Sequence, residues 1–236
     1  MSEPLVSCIV PAFNSGRYIG EALDSILAQT YSKIEIIVCD DGSTDDTRAI
    51  VARYGDRVEY LKQETLGPAA TRNLGVAAAK GALLAFLDAD DLWHSEKLER
   101  QIARFDAMPE LDICVTHVQM FWIPGLEREA EEYSENPRSE AIPGYATTTL
   151  VAKRTVFETI GNFRTDLWFS DATDWFIRAR EKGVVVELMP DVLTYHRMHE
   201  RNLTRRHSDA SKTEFARTIG ESLIRRRAAR AERRES

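Results

Sequence analysis

The chain has 236 residues, 43% of them hydrophobic, enough to fill the core of one large α/β domain. Its formal charge of -7 excludes a broad nucleic-acid footprint, because phosphate contacts need a basic surface, and leaves a small or neutral partner. Cys8, Cys39 and Cys114 are widely spaced with no C-x-x-C pair, which points to a reducing, cytoplasmic setting with thiols packed as small hydrophobes.

No basic leader or cleavage site precedes "PLVSCIVPAFN", and no apolar run approaches the length of a membrane span, so the chain is expected to be soluble or at most peripheral to a membrane. The runs "LVSCIV" (5–10), "IEIIVC" (34–39), "VEYL" (58–61) and "ALLAFLD" (82–88) read as strands, each but the last separated by a segment of helical period. That alternation predicts an α/β fold with a mainly parallel sheet covered on both faces. Ile19, Leu23, Ile26 and Leu27 form the apolar stripe of a first helix. Ser43 or Thr44 can cap a second, with Asp45 and Asp46 in its first turn. Leu98, Ile102 and Phe105 mark another helix.

The second half is less regular. "DICVTHVQMFW" (112–122) reads as a strand, and the polar, Pro- and Gly-containing stretch 123–144 as a long surface loop. Helices are expected over 153–160 and 174–183, followed by two strands, "VVVELM" and "VLTYHRM". The basic end "RRRAARAERRES" reads as a solvated helix, with a membrane surface or a partner as the alternative.

In an open α/β sheet ligands bind beyond the carboxyl ends of the strands. Three polar clusters arrive there: Pro11, Phe13 and Asn14 after the first strand, Asp40 and Asp41 after the second, and Asp88, Asp90 and Asp91 after the fourth. There is no G-x-G-x-x-G after the first strand and no G-x-x-x-x-G-K-[ST], so two common nucleotide sites are excluded. Asp88 and Asp90 alternate along an extended chain and can point into one space, where their repulsion is about 2 kcal/mol. Either a divalent cation, Mg²⁺ or Mn²⁺, relieves that repulsion, or the aspartates cap the helix that begins near Ser95.

The stretches "VSCIVPAFNSGRYIGEALDSILAQTYSKIEIIVCDDGSTDDT", "GPAATRNLGVAAAKGALLAFLDADD" and "DWFIRAREKG" resemble a family 2 glycosyltransferase of the GT-A fold, inverting and nucleotide-sugar dependent. The resemblance implies a single domain over 1–236. Its nucleotide-sugar half would be 1–110, its acceptor half 111–208, and a basic helix or tail would follow over 209–236. It further implies a UDP-sugar donor, with Pro11, Phe13 and Asn14 bracketing the nucleoside, Asp41 accepting the uracil N–H, and Asp40 close by. Arg72 falls near the donor, Asp88 reaches ribose or sugar hydroxyls, and Asp90 binds the metal on the diphosphate.

The family's catalytic base commonly lies in a Glu-Asp pair just before "DWFIRA". This chain has "FSDATDWFIRA", so Ala172 stands where the Asp of that pair is expected. Asp171 and Asp174, three apart at a helix start, can each reach an acceptor, and Asp171 is preferred because Asp174 can serve as a cap. "TYHRMHERNLT" resembles the family's C-terminal stretch, which makes His199 a metal or diphosphate contact, with Asn202 and Thr204 in the loop over the donor. Trp168 is the tryptophan placed to stack on an acceptor ring, and the acceptor itself is left open among saccharide, lipid-linked sugar, small molecule and peptide. Alternatives of other classes are a nucleotide-sugar-binding module without turnover, raised by Ala172, and a nucleotidyltransferase, disfavoured because "PAFNSGRYIG" is not a basic, glycine-rich phosphate loop.

Overall fold

The computed structural model describes residues 3–135 and 141–235. The chain opens with β1 (Val6–Ala12), α1 (Ile19–Leu27), β2 (Ile34–Asp40), α2 (Thr47–Val51), β3 (Glu59–Lys62), α3 (Pro68–Ala78) and β4 (Leu83–Phe86). It continues through β5 (Leu92–Trp93), α4 (Lys97–Ala107), β6 (Ile113–Trp122), α5 (Glu127–Ser134), β7 (Ile142–Pro143) and β8 (Val151–Lys153). The last elements are α6 (Arg154–Ile160), α7 (Asp171–Glu181), β9 (Val186–Met198), α8 (Leu203–Arg206) and α9 (Ser208–Glu235).

One sheet runs in the order β3-β2-β1-β4-β8-β6-β9-β5, with β7 adding to β6. β3, β2, β1 and β4 pair in parallel, so their carboxyl ends open on one rim. Alternate strand residues feed two cores. Val6, Cys8, Val10 and Val38 meet Ile19, Leu23 and Ile26 of α1 on one face. Ile9, Ile37, Cys39 and Phe86 meet α3, α6 and Trp175 of α7 on the other. All three cysteines are free and buried, and burial pushes the Cys8 thiol up to about 12. Among the described residues no helix is long and apolar enough to cross a membrane.

Several elements differ from expectation. α2 begins at Thr47, where Asp45 rather than Ser43 or Thr44 accepts the first N–H at 3.0 Å. α3 has almost no large apolar stripe, because its buried positions are Ala69, Thr71, Arg72 and Gly75. It lies so close to the sheet that a Cβ on Gly75 would come within 2.3 Å of Ile9. The supposed loop 123–144 contains α5, which buries no residue and is held by Arg128–Glu132 and by Tyr133 against Trp122; without an apolar stripe its period was invisible. Residues 136–140 of that stretch lie outside the described residues. The two last strands are one, β9, whose register against β6 slips around Met189 to Val192 so that Pro190 escapes the ladder. α7 starts at Asp171 rather than Asp174.

Lys97 at the start of α4 is fully buried, its ammonium 4.4 Å from the Trp93 ring centre and 2.6 Å from Gln101 Oε1. Burial pushes it down to about 7, with Cys114 and Cys8 opposing weakly. Unfolded chain holds that proton to about pH 10.4. Between the two values the unfolded state binds more protons, so stability rises with pH, and below about 7 the full cost of the buried charge is present. Lys97→Met is therefore expected to gain thermal stability relative to wild type as pH falls from 9.5 to 7. A stability difference that does not vary with pH in paired melting curves would contradict a buried, titrating ammonium.

Candidate active site

Two loops at the rim are laced together before any ligand arrives. Asn14 adopts φ 49°, a left-handed conformation asparagine tolerates, and its Oδ1 accepts the Thr44 N–H at 2.9 Å while its own N–H donates to Ser43 Oγ at 2.8 Å. Gly16 N–H donates to Asp45 at 2.9 Å. Pro11 is half-buried beneath this turn, and Phe13 projects from it, 53% exposed.

Asp40 and Asp41 divide their work. Asp40 is fully buried, accepting the Ser43 N–H at 2.7 Å and the Tyr60 hydroxyl. Each of its oxygens takes one bond that shapes the loop. Asp41 Oδ1 accepts Gln63 Nε2 at 2.7 Å and Leu66 N–H at 2.9 Å, and Oδ2 accepts Gly67 N–H at 2.9 Å. A carboxylate has about four acceptor sites, so one on Oδ2 is left. The Gly67 N–H fixed by Asp41 is the entry to α3, which carries Arg72.

Arg72 is buried between two carboxylates from distant parts of the chain. Its Nη2 lies 2.9 Å from Asp88 Oδ1, after β4, and its Nη1 lies 2.7 Å from Asp171 Oδ2, the first residue of α7. Burial works against the guanidinium charge, and Asp171 and Asp88 outweigh it, so Arg72 sits above its ordinary value. Its Nε has no hydrogen-bond acceptor among the described residues. The repulsion expected around Asp88 is thus relieved by an arginine.

Asp90 faces His199, with Oδ2 at 2.9 Å from Nε2. The His199 ring rests against Tyr18, 4.9 Å between centroids, and its Nδ1 accepts the Arg201 N–H at 3.2 Å. Asn202 closes this turn, its Oδ1 accepting His199 N–H and its Nδ2 donating to Arg197 O. The Thr204 side chain lies outside the described residues.

Asp91, the next residue, is fully buried beneath Asp90. It accepts the Arg197 N–H at 3.0 Å and pairs with His196 Nδ1 at 2.9 Å. Burial opposes the His196 charge, and the Asp91 carboxylate overcomes it, holding His196 above its ordinary value; burial likewise pushes Asp91 up, with His196 opposing. Arg197 donates to the Asp90 carbonyl at 2.8 Å and to Glu21 at 2.7 Å. The pairing of Asp91 with His196 and Arg197 was missed because the partners stand about a hundred residues apart. The only signal was a run of three aspartates with too few cations nearby in sequence.

Asp171 and Asp174 are not equivalent. Asp171 reaches the rim through Arg72, whereas Asp174 is fully buried and turned to Arg178 at 2.7 Å, with Arg164 at 3.6 Å and Arg225 at 3.8 Å. Asp174 makes no capping bond at the start of α7, and its carboxylate faces three arginines instead. Among the described residues no group of three His, Cys, Asp or Glu side chains could hold a metal ion. Asp90 and His199 are the pair that stands together at the rim.

A sequence profile described as "Glycosyl transferase family 2" matches residues 7–167, the stretch that builds the rim and carries Asn14, Asp41, Arg72, Asp88 and Asp90. The chain belongs to glycosyl transferase family 2. Its fold is the GT-A fold of the solved structures it superimposes on. Mannosyltransferase PcManGT from Pyrobaculum calidifontis, in complex with GDP-Man and Mn²⁺, aligns with a TM-score of 0.71 and 25% identity over 93% of this chain and 65% of its own. S. aureus TarS 1-349 in complex with UDP-GlcNAc aligns with a TM-score of 0.68 and 23% identity over 84% of this chain and 59% of its own. An uncharacterized glycosyltransferase of Rickettsia typhi is 33% identical over 86% of this chain and 66% of its own length. The UDP-Glc:alpha-D-GlcNAc-diphosphoundecaprenol beta-1,3-glucosyltransferase of Escherichia coli is 43% identical over 44% of this chain and 42% of its own. The chain spans about two thirds or less of these curated relatives.

Arg72→Met is expected to cost about 3 kcal/mol of unfolding free energy, because it leaves Asp88 and Asp171 without the cation between them. Asp171→Asn in the same chain should recover part of that loss. Equilibrium urea unfolding measures both, and an Arg72→Met chain as stable as wild type would show that the bridge does not hold the two halves.

Proposed function

We propose that the protein is an inverting glycosyltransferase that moves a sugar from a UDP-sugar donor to a hydroxyl acceptor, with Asp171 as general base. The observation that carries this reading is the Asp88–Arg72–Asp171 bridge, which ties the family's donor rim to the start of α7. Donor binding is supported by the spare acceptor site on Asp41 Oδ2 for a nucleobase N–H, and by the exposed Phe13 ring, which follows Ala12, whose carbonyl accepts the Asp41 N–H at 2.8 Å. The orphaned Arg72 Nε is a buried donor in need of an acceptor, which a donor oxygen can satisfy.

Asp171 Oδ2 is held by Arg72, and Oδ1 has no hydrogen bond among the described residues. In the transfer, Asp171 removes the acceptor hydroxyl proton, the acceptor oxygen bonds to the anomeric carbon from the face opposite the diphosphate, and the bond to the diphosphate oxygen breaks. UDP leaves with that electron pair. The exposed ring of Trp168, 46% accessible, and that of Tyr145, edge-on to Phe176 of α7, offer apolar faces for an acceptor on the Asp171 side.

Asp90 would hold Mg²⁺ or Mn²⁺ through its carboxylate, the oxygen donor a hard cation prefers, with the other positions kept for water and phosphate oxygens, and His199 beside it would add a nitrogen contact that suits Mn²⁺ better than Mg²⁺. When bound, such a cation supplies charge neutralisation for the departing diphosphate. Nδ1 of His199 already accepts a backbone N–H, so the proton in the unliganded ring sits on Nε2, facing Asp90. Metal uptake through Nε2 should therefore release a proton.

UDP with Mn²⁺ is expected to raise the melting temperature, by the equivalent of about 2.7 kcal/mol at a hundredfold excess over Kd, and Asp90→Asn should remove the metal-dependent part. If GDP replaces UDP as the stabilising nucleotide, the donor assignment changes; if none stabilises, the reading fails. Asp171→Asn should lower kcat by about 10²- to 10⁴-fold with donor binding retained. Stabilisation by UDP-sugars without any UDP release by wild type would instead favour a binding module.

A further inference from the structure

The C-terminal helix lies outside the stretch that the family profile matches, yet it reaches the site. α9 packs along α7, with Ser222 and Arg225 bonded to Glu181, and Glu221 2.5 Å from Arg164. Near its start, Glu214 does something different. Its Oε1 accepts three consecutive backbone N–H groups, from Trp168 at 3.1 Å, Phe169 at 2.8 Å and Ser170 at 2.8 Å. Its Oε2 also accepts from Trp168 at 3.1 Å.

Those three amides immediately precede Asp171. Ser170 stands at the N-cap position of α7, but its side chain makes no capping bond. Glu214, from another helix, instead pins the Ser170 N–H and the two amides before it, which sets a carboxylate near the positive end of the α7 dipole. The pinned segment touches the rim at two further points. The Trp168 ring lies so near Gly67 that a Cβ there would stand 3.3 Å from it, and the Gly67 N–H is the one Asp41 holds. Asp171 itself closes on Arg72. One carboxylate on α9 thus fixes the backbone that carries both the base and the exposed tryptophan.

We propose that Glu214 is a positioning residue for the transfer: it sets the reach of Asp171 and the seat of Trp168 without touching substrate. This rests on Asp171 being the base. A misplacement of about 1 Å at a reacting group can cost on the order of a hundredfold in rate, which is the scale at which a lost backbone clamp should register.

The test compares Glu214→Ala and Glu214→Gln with wild type by amide hydrogen exchange and by steady-state kinetics with a UDP-sugar. Glu214→Ala should speed exchange at residues 168–170 at least tenfold, leave β1 and β4 protected, lower kcat about 10- to 100-fold and keep the donor KM within about twofold. Glu214→Gln retains an oxygen for the three amides and should restore most of kcat, which a purely charge-based role would not allow. In an Asp171→Asn background, Glu214→Ala should cost little more, because both act through one group. Unchanged exchange at 168–170, or unchanged kcat in Glu214→Ala, overturns the inference alone. So does a donor KM that rises in step with the loss of kcat. A wild-type chain that turns over no donor overturns the proposed function and this role with it.

Discussion

One guanidinium organises the rim. Arg72 comes from α3, Asp88 from the end of β4 and Asp171 from the start of α7, and the three meet within hydrogen-bond distance in a largely buried place. A buried cation is tolerable only when paired, and a cation shared by two carboxylates ties their elements together as well as their charges. The geometry is planar and forked, which an arginine provides and a lysine does not. The halves of the molecule are therefore joined at the site by directed bonds, and the apolar core beneath need only support them.

A second charged layer lies under the first. Asp90 faces outward to His199, while the next residue, Asp91, turns inward to His196 and the Arg197 N–H. Three aspartates in four positions thus have three different partners: Asp88 an arginine, Asp91 the half-buried His196, and Asp90 the ring N–H of His199. Arg197 stitches the layer to α1 through Glu21 and stacks against Tyr18 and Phe121. The outcome is a rim whose charges are mostly neutralised by the protein's own side chains. A diphosphate arriving there would have to exchange partners as well as gain them.

How much of this was legible in the sequence depends on whether the signal was local. β1, β2 and α1 were readable because β-branched runs and the Ile19-Leu23-Ile26 stripe carry their own period. Asn14, Asp41, Asp88 and Asp90 could be singled out because strand ends and a family resemblance both pointed to one rim, and Arg72 by the resemblance alone. α3 was obscure because the contact it makes requires small residues, and α5 because it buries nothing. The split of Asp171 from Asp174 was unreadable, since helix spacing puts them on one face but not which arginines approach it. His196 looked like an ordinary strand residue for the same reason: its partner lies 105 positions away. Glu214 carried no local sign at all, being one acid on a helix of charged residues.

Gly75 gives the site its vertical scale. With no Cβ at that position, α3 settles directly onto Ile9 and Cys39, nearer the strands than any side chain would permit. Arg72 stands one turn earlier on the same helix, so its height above the sheet is inherited from that contact. A single methyl group at Gly75 would meet the Ile9 side chain at 2.3 Å and the Cys39 sulfur at 3.1 Å, so the strand side chains or the helix that carries the guanidinium would have to shift. The spacing between α3 and the sheet beneath Arg72 is in this sense gauged by one absent carbon atom.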